Sequence, residues 1–316
     1  MEVTALTPRG YCHGVVGAIN TLKKIARDKT VKQPIHVLGM IVHNQKIVED
    51  LDRLGVTTLH EKGVSRLKLL DRIDSGTVVF TAHGVSDAVR DKAQSKGLDI
   101  IDTTCRDVLR SQRTVEAYIH EGYDVVFIGK KDHPESETIR SFGQRAHVVS
   151  NEEDAENLAI DNPRIALTNQ TTMSLFDVYG LSEAIRKRYP SVEVIEEICD
   201  ATKTRQLAVK NQPKDTDHCF VVGDPHSNNS RKLVEVSKQS GIPASLIESV
   251  EDIDIERLKT FKKVSVTSGA STPTRLTNEV LRFLKAFDKE DPTTHDPTST
   301  VKNTNLFLNQ KNVSLG

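Results

Sequence analysis

Short apolar runs recur along the chain, each followed by a polar loop and then by apolar residues at helical spacing. That alternation predicts a doubly wound α/β protein with parallel sheets. Val3 to Leu6 leads through Pro8-Arg9-Gly10-Tyr11-Cys12 into a helix marked by Val15, Ile19, Leu22 and Ile25. Ile100-Ile101-Asp102-Thr103-Thr104-Cys105 leads into one marked by Val108, Val115 and Ile119, and Ile195-Glu196-Glu197-Ile198-Cys199 into one through Ala201 and Ala208. Runs such as Val78-Val79-Phe80, Val125-Val126-Phe127-Ile128 and Phe220-Val221-Val222 read as strands buried on both faces.

A cysteine thus stands at three strand-to-helix junctions, 93 residues apart (12 to 105) and 94 apart (105 to 199). The loops after the other strands keep the same period. His43 and His83 fall 31 and 71 residues past Cys12, His133 and Thr171 fall 28 and 66 past Cys105, and Ser227 and Ser271 fall 28 and 72 past Cys199. This is a degenerate threefold repeat. It divides the chain into three α/β units, 1–104, 105–198 and 199–287, followed by a tail, 288–316. The tail opens with turn chemistry, Asp291-Pro292-Thr293-Thr294-His295-Asp296-Pro297, and is expected either to be disordered or to be pinned against the first unit by Leu306-Phe307-Leu308. Open α/β sheets bind ligands beyond the carboxyl ends of their strands, so three units facing inward present all these loops to one cavity with the cysteines at its floor.

Charge excludes some classes. With 43 Lys and Arg against 44 Asp and Glu, a net charge of -1 supplies no field to attract nucleic acid or an acidic membrane. No apolar run approaches the roughly 20 residues needed to span a bilayer, and no signal or transit peptide is evident, so a cytoplasmic protein is expected. Four cysteines in 316 residues make no disulfide framework, and none lie in C-x-x-C pairs. Cys219 lies within a buried-strand pattern and reads as a small core residue.

Three thiolates suit a soft metal centre, and three rather than four leave one position open to substrate or water. A 4Fe–4S cluster with one open iron is the sharper reading; cysteines that merely fill three junctions are the blander one, and the matched spacing favours the cluster. His43, His83, His133, Ser227, Asn228, Asn229 and Ser271 are compact donors beside helix starts, where backbone N–H groups and the helix dipole bind phosphate oxygens. Taken singly, the Ser and Asn residues read as N-caps and the histidines as solvated polarity. In His133-Pro134-Glu135 the glutamate adds a general acid if desolvation raises its pKa, and Thr171 in the companion loop can orient a proton.

As a set, the residues resemble the 4-hydroxy-3-methylbut-2-enyl diphosphate reductase family, also called LytB/IspH. The motifs are Pro8-Arg9-Gly10-Tyr11-Cys12, Val42-His43-Asn44, Ala82-His83-Gly84-Val85-Ser86, Asp102-Thr103-Thr104-Cys105 and His133-Pro134-Glu135. Asn169-Gln170-Thr171-Thr172, Glu197-Ile198-Cys199, Ser227-Asn228-Asn229-Ser230 and Gly269-Ala270-Ser271 complete them, over roughly residues 1–286. The resemblance implies three pseudo-threefold-related units around a central 4Fe–4S cluster held by Cys12, Cys105 and Cys199. The fourth iron would take the substrate's allylic hydroxyl oxygen. His43, His83, His133, Thr171, Ser227, Asn228, Asn229 and Ser271 would bind the substrate, and Glu135, Thr171 and His133 would be catalytic. Electrons would come from a ferredoxin or flavodoxin, and the products would be isopentenyl and dimethylallyl diphosphate, ending the methylerythritol phosphate route to isoprenoids.

Three positions depart from the family pattern. Arg106 stands where a proline usually follows the second cysteine, Gln112 replaces a histidine, and Thr138 replaces a glycine. A glycine with positive φ at that position would mean that Thr138 strains the loop carrying Glu135. Other classes remain open: a hydro-lyase using the same iron as a Lewis acid, told apart by its independence of an electron donor; a non-catalytic iron–sulfur sensor of diphosphates; and a zinc protein, told apart by colour.

Overall fold

The structure, a computed structural model, describes residues 1–42 and 44–301. His43 and the expected anchor Leu306-Phe307-Leu308 lie outside the described residues. Among the described residues the strands are β1 (Glu2–Ala5), β2 (Ile35–Leu38), β3 (Val56–Leu59), β4 (Thr77–Phe80), β5 (Asp99–Asp102) and β6 (Asp124–Ile128). They continue with β7 (Ala146–Val149), β8 (Ile165–Asn169), β9 (Glu193–Val194), β10 (His218–Val222), β11 (Ala244–Ile247) and β12 (Lys263–Ser268).

They form three four-stranded sheets, ordered β3-β2-β4-β5, β7-β6-β8-β9 and β1-β12-β10-β11, and every pairing is parallel. The expected three parallel-sheet α/β units are therefore present. Their central strands β4, β6 and β10 are almost wholly buried, as continuous apolar runs in parallel sheets must be when both faces are covered. The outer strands β5 and β9 are partly exposed, and β9 has shrunk to two residues.

The three orders coincide when β1 is read as the fourth strand of the last sheet. β1 takes beside β12 the edge place that β5 takes beside β4 and β9 beside β8. Its register, Glu2 opposite Lys263 through Ala5 opposite Val266, groups residues 2–5 with the end of the chain and not with the first third. A parallel partner is set by which apolar strand can lie alongside, not by nearness in sequence.

The chain divides into two compact units. One comprises Met1–Val16, Val42–Asp50 and the chain from Asp200 onward, and holds the sheet of β1, β10, β11 and β12. Its core packs Leu6, Val209, Cys219, Val221, Leu233, Val236 and Ile242. The other comprises Gly17–Ile41 and Leu51–Cys199 and holds the remaining two sheets. One of its cores gathers Leu38, Leu70, Val78, Phe80 and Val89, another Val126, Ile128, Leu167 and Ile185, and a third Val115, Phe127 and Ile139.

Each sheet repeats one local device. The residue after its first strand is glycine, and its N–H donates to the last carbonyl of the next strand: Gly39 to Leu59 (2.8 Å), Gly129 to Val149 (2.9 Å) and Gly223 to Ile247 (2.8 Å). The loops carrying the candidate site residues start from these equivalent points at the carboxyl ends of the strands, where α/β proteins place ligands.

The helix Thr274–Ala286 buries Leu276, Val280, Phe283 and Leu284, and its periodic pattern ends at Phe287. Beyond it, Asp291 and Asp296 cap short 3-10 turns that open with Pro292 and Pro297, and His295 stacks on Phe287 with ring centroids 4.9 Å apart. Among the described residues no helix is long and apolar enough to cross a membrane.

Candidate active site

The three junction cysteines have equivalent seats. In each sheet the cysteine N–H donates to a carbonyl in the loop after the strand beside the edge strand: Cys12 to Ala270 (3.0 Å), Cys105 to Ala82 (2.9 Å) and Cys199 to Thr171 (3.1 Å). Each cysteine directly precedes a helix, His13–Ile25, Arg106–His120 or Asp200–Lys210, whose N-terminal end favours negative charge nearby. All three thiols are half-buried and none is in a disulfide. Cys219 differs in kind: it is wholly buried in β10, and burial holds its thiol above the ordinary range. Cys219 is thus set apart from the three junction thiols, each of which is of a chemical type that suits a soft metal.

In the unit of Gly17–Ile41 and Leu51–Cys199, the seats connect to the candidate acid. Glu135 is 3% exposed. Its carboxylate accepts the Thr171 N–H at 3.0 Å and the Thr171 hydroxyl at 2.9 Å. Burial pushes its pKa up to about 7, against the opposing pull of those two hydrogen bonds. Thr171 thus joins the acid to the Cys199 seat: its N–H and hydroxyl hold Glu135, and its carbonyl holds the Cys199 N–H.

His133 caps the helix Pro134–Ser141, its Nδ1 accepting the Glu135 N–H at 3.2 Å. An accepting Nδ1 leaves Nε2 as the protonated nitrogen of the neutral ring. The His83 ring lies edge-on to that of His133, centroids 5.4 Å apart. His83 is also one residue past Ala82, which seats Cys105. The cysteine seats align Ala82, Thr171 and Ala270, so Thr172 matches His83 and Ser271, and Thr171 stands one position earlier than its offset implies.

In the other unit the Cys12 loop is pinned at several points. The Gly10 N–H donates to Ser268 Oγ (2.6 Å), Arg205 Nη2 donates to the Gly10 carbonyl (2.7 Å), and Tyr11 is buried, its phenol held well above the ordinary range by burial and by Asp50. Asn229 Oδ1 accepts the Ala270 N–H at 2.9 Å, directly behind the Cys12 seat. Ser227 caps the helix Asn228–Gln239, and the Ser271 hydroxyl lies 3.4 Å from that of Ser227. Ser227, Asn229 and Ser271 are thus gathered around the Cys12 seat, and the N-cap reading of Ser227 holds as well. The buried residues of the helix Asp200–Lys210 are Thr202, Arg205, Gln206 and Val209, not the Ala201 and Ala208 stripe, because this helix turns polar groups toward the pinned loop.

The three departures resolve differently. Thr138 lies within the helix Pro134–Ser141, donates to the Pro134 carbonyl at 3.1 Å and, like every described non-glycine residue, has no positive φ. Nothing in its backbone requires glycine, so the expected strain is absent. Arg106 is exposed at the first position of its helix. Gln112 packs under the His83 loop, where a Cβ added to Gly84 would meet its Nε2 at 2.6 Å. Gly84 also has φ +75, which L residues rarely adopt. Gly84→Ala is therefore expected to lower stability by at least about 1 kcal/mol in chemical denaturation.

Arg66 was not among the candidates. It is buried, and its guanidinium donates to the Gly84 carbonyl (2.5 Å) and to Thr81 Oγ1 (3.0 Å), on either side of His83. In the sequence it is one basic residue in a short amphipathic segment.

A family model described as LytB protein matches residues 3–285. The chain belongs to the LytB family. Relatives named 4-hydroxy-3-methylbut-2-enyl diphosphate reductase include one from Geobacillus sp. (strain WCH70), 48% identical over 93% of each chain, and one from Bacillus subtilis (strain 168), 46% identical over 93% of this chain and 94% of its own. Among solved structures, the E-1-hydroxy-2-methyl-but-2-enyl-4-diphosphate reductase from Plasmodium falciparum superposes with a TM-score of 0.83 at 30% identity, over 93% of this chain and 89% of its own. An (E)-4-hydroxy-3-methyl-but-2-enyl diphosphate reductase described as the terminal enzyme of the non-mevalonate pathway gives 0.64 at 28% identity, over 91% of this chain and all of its own. The LytB match spans all three sheets and every motif named above.

Proposed function

We propose that this LytB protein is an oxidoreductase that reductively removes the hydroxyl of 4-hydroxy-3-methylbut-2-enyl diphosphate, yielding isopentenyl and dimethylallyl diphosphate. The observation that carries the reading is the buried Glu135–Thr171 pair, linked through the Thr171 carbonyl to one of three equivalent cysteine seats, in a chain of this family. Cys12, Cys105 and Cys199 would hold a 4Fe–4S cluster, which when bound supplies electrons and an iron position for the substrate oxygen.

This chain's own residues do the rest. Nε2–H of His133 suits phosphate oxygens, and His43, His83, Ser227, Asn228, Asn229 and Ser271 complete the diphosphate site. Glu135, its pKa raised to about 7 by burial, can carry a proton near neutral pH and delivers it, while Thr171 fixes the direction of transfer. Overall, two electrons from a ferredoxin or flavodoxin and two protons convert the allylic C–O bond to C–H and release water.

The test is anaerobic loading with iron and sulfide, reduction by a low-potential dye, and addition of the hydroxylated diphosphate. Both olefinic diphosphates are expected, and only with reductant present. A fully loaded protein that forms neither product, or forms product without a reductant, would overturn the reading.

A further inference from the structure

The loop after β4, which carries His83, has a buried cation packed against it, Arg66. Its guanidinium donates to Thr81 Oγ1 and to the Gly84 carbonyl, bracketing His83 in sequence. The acidic group whose field it feels is Glu137, on the Pro134–Ser141 helix, and although burial pulls its pKa down to about 10 it remains a cation near neutral pH.

We infer that Arg66 and Thr81 form a relay that sets the tautomer of His83, making it a hydrogen-bond donor through Nε2. A guanidinium N–H can only donate, so Thr81 Oγ1 must accept from Arg66. The Thr81 hydroxyl proton is then free to turn to an acceptor within reach, His83 Nδ1 at 3.5 Å. That bond is long, but it is directed, because Arg66 has already claimed the hydroxyl oxygen from the other side. With Nδ1 accepting, the ring proton sits on Nε2. His133 reaches the same tautomer by a different route, through the Glu135 N–H. Two neighbouring rings are thereby set alike, as donors, which is what an anionic ligand requires. Arg66 and Thr81 are positioning residues: they act through His83, and Arg66 adds a fixed positive charge beneath the loop.

This inference rests on the proposed diphosphate substrate, but its direct readout does not. In holoprotein labelled with 15N-histidine, two-bond proton–nitrogen correlation reports each ring's tautomer at a pH above the ordinary histidine range of about 6.5. The His83 signals are assigned by their loss in His83→Gln. The wild type is expected to show His83 protonated at Nε2. Thr81→Val, which keeps the side-chain shape, is expected to mix or invert that tautomer and to raise KM for the diphosphate about tenfold, the scale of one hydrogen bond to a charged group. Its kcat is expected to stay within about twofold. Thr81→Ser should restore both properties, and Arg66→Lys should restore them in part where Arg66→Met does not.

A Thr81→Val protein with the His83 proton still on Nε2, or with the wild-type KM, would overturn the relay, as would a wild type protonated at Nδ1. If the tautomers behave as expected but no protein turns over the diphosphate, the relay stands and it is the proposed function that has failed.

Discussion

Glu135→Gln is expected to lower kcat on the hydroxylated allylic diphosphate by about 10²- to 10⁴-fold, the range for loss of a positioned general acid. KM should change little. Glutamine keeps the size of the side chain; its amide oxygen can accept the Thr171 N–H while its NH2 donates to the Thr171 hydroxyl oxygen, so the loop geometry survives while the transferable proton is lost. The pH dependence follows from the same burial. Glu135 must be protonated to act, so wild-type turnover should fall as pH rises through about 7. Stability carries the same sign. A folded-state pKa raised from 4.5 to about 7 contributes stabilisation that is fully present below the ordinary carboxylate range and is lost as pH climbs to about 7. The loss is on the order of 3 kcal/mol. Denaturant titrations at several pH values should show that slope in the wild type and a flatter one in Glu135→Gln. An equal slope in both would show that Glu135 is not the group that titrates.

The second large effect separates the cysteines. Cys12→Ser, Cys105→Ser and Cys199→Ser should each lose the visible absorbance of the iron–sulfur centre and reduce turnover by at least about 100-fold, since loss even of groups that merely support a metal ligand costs 10- to 100-fold. Cys219→Ala should keep colour and turnover and cost about 1 kcal/mol of stability, as the loss of a small buried group does. The contrast follows from placement. Three thiols stand half-buried at equivalent helix starts, and the fourth is wholly enclosed in β10. A Cys219→Ala protein that lost its colour would reassign the ligand set.

Much of the fold was legible because parallel strands covered on both faces announce themselves as unbroken apolar runs, as Val78-Val79-Phe80 and Val125 to Ile128 do. The helix after Cys12 was equally plain, since Val15, Ile19, Leu22 and Ile25 are all buried. What stayed hidden was decided by partners far along the chain or by polar interiors. The pairing of β1 with β12 leaves no periodic trace in either segment. The helix after Cys199 buries an arginine and a glutamine where an apolar stripe was sought. In the site, Glu135 and Thr171 were visible as motif residues, and their mutual hydrogen bonds were not. Thr138 looked like strain because a glycine was assumed to be there for its backbone; in a right-handed helix the substitution is benign. Arg66 could not be seen at all, because a lone basic residue gives no sign that its neighbours will close over it.

The place of β1 also orders events during synthesis. The strand that precedes Cys12 pairs with residues 263–266, made long after it, and the carbonyl that seats Cys12 belongs to Ala270. The two other seats are complete once residue 199 has emerged, because Ala82 and Thr171 precede their cysteines. The first-made thiol is therefore the last to be seated. Its loop closes only after residue 270 has been made, so a chain truncated before that point holds two prepared thiols and one waiting.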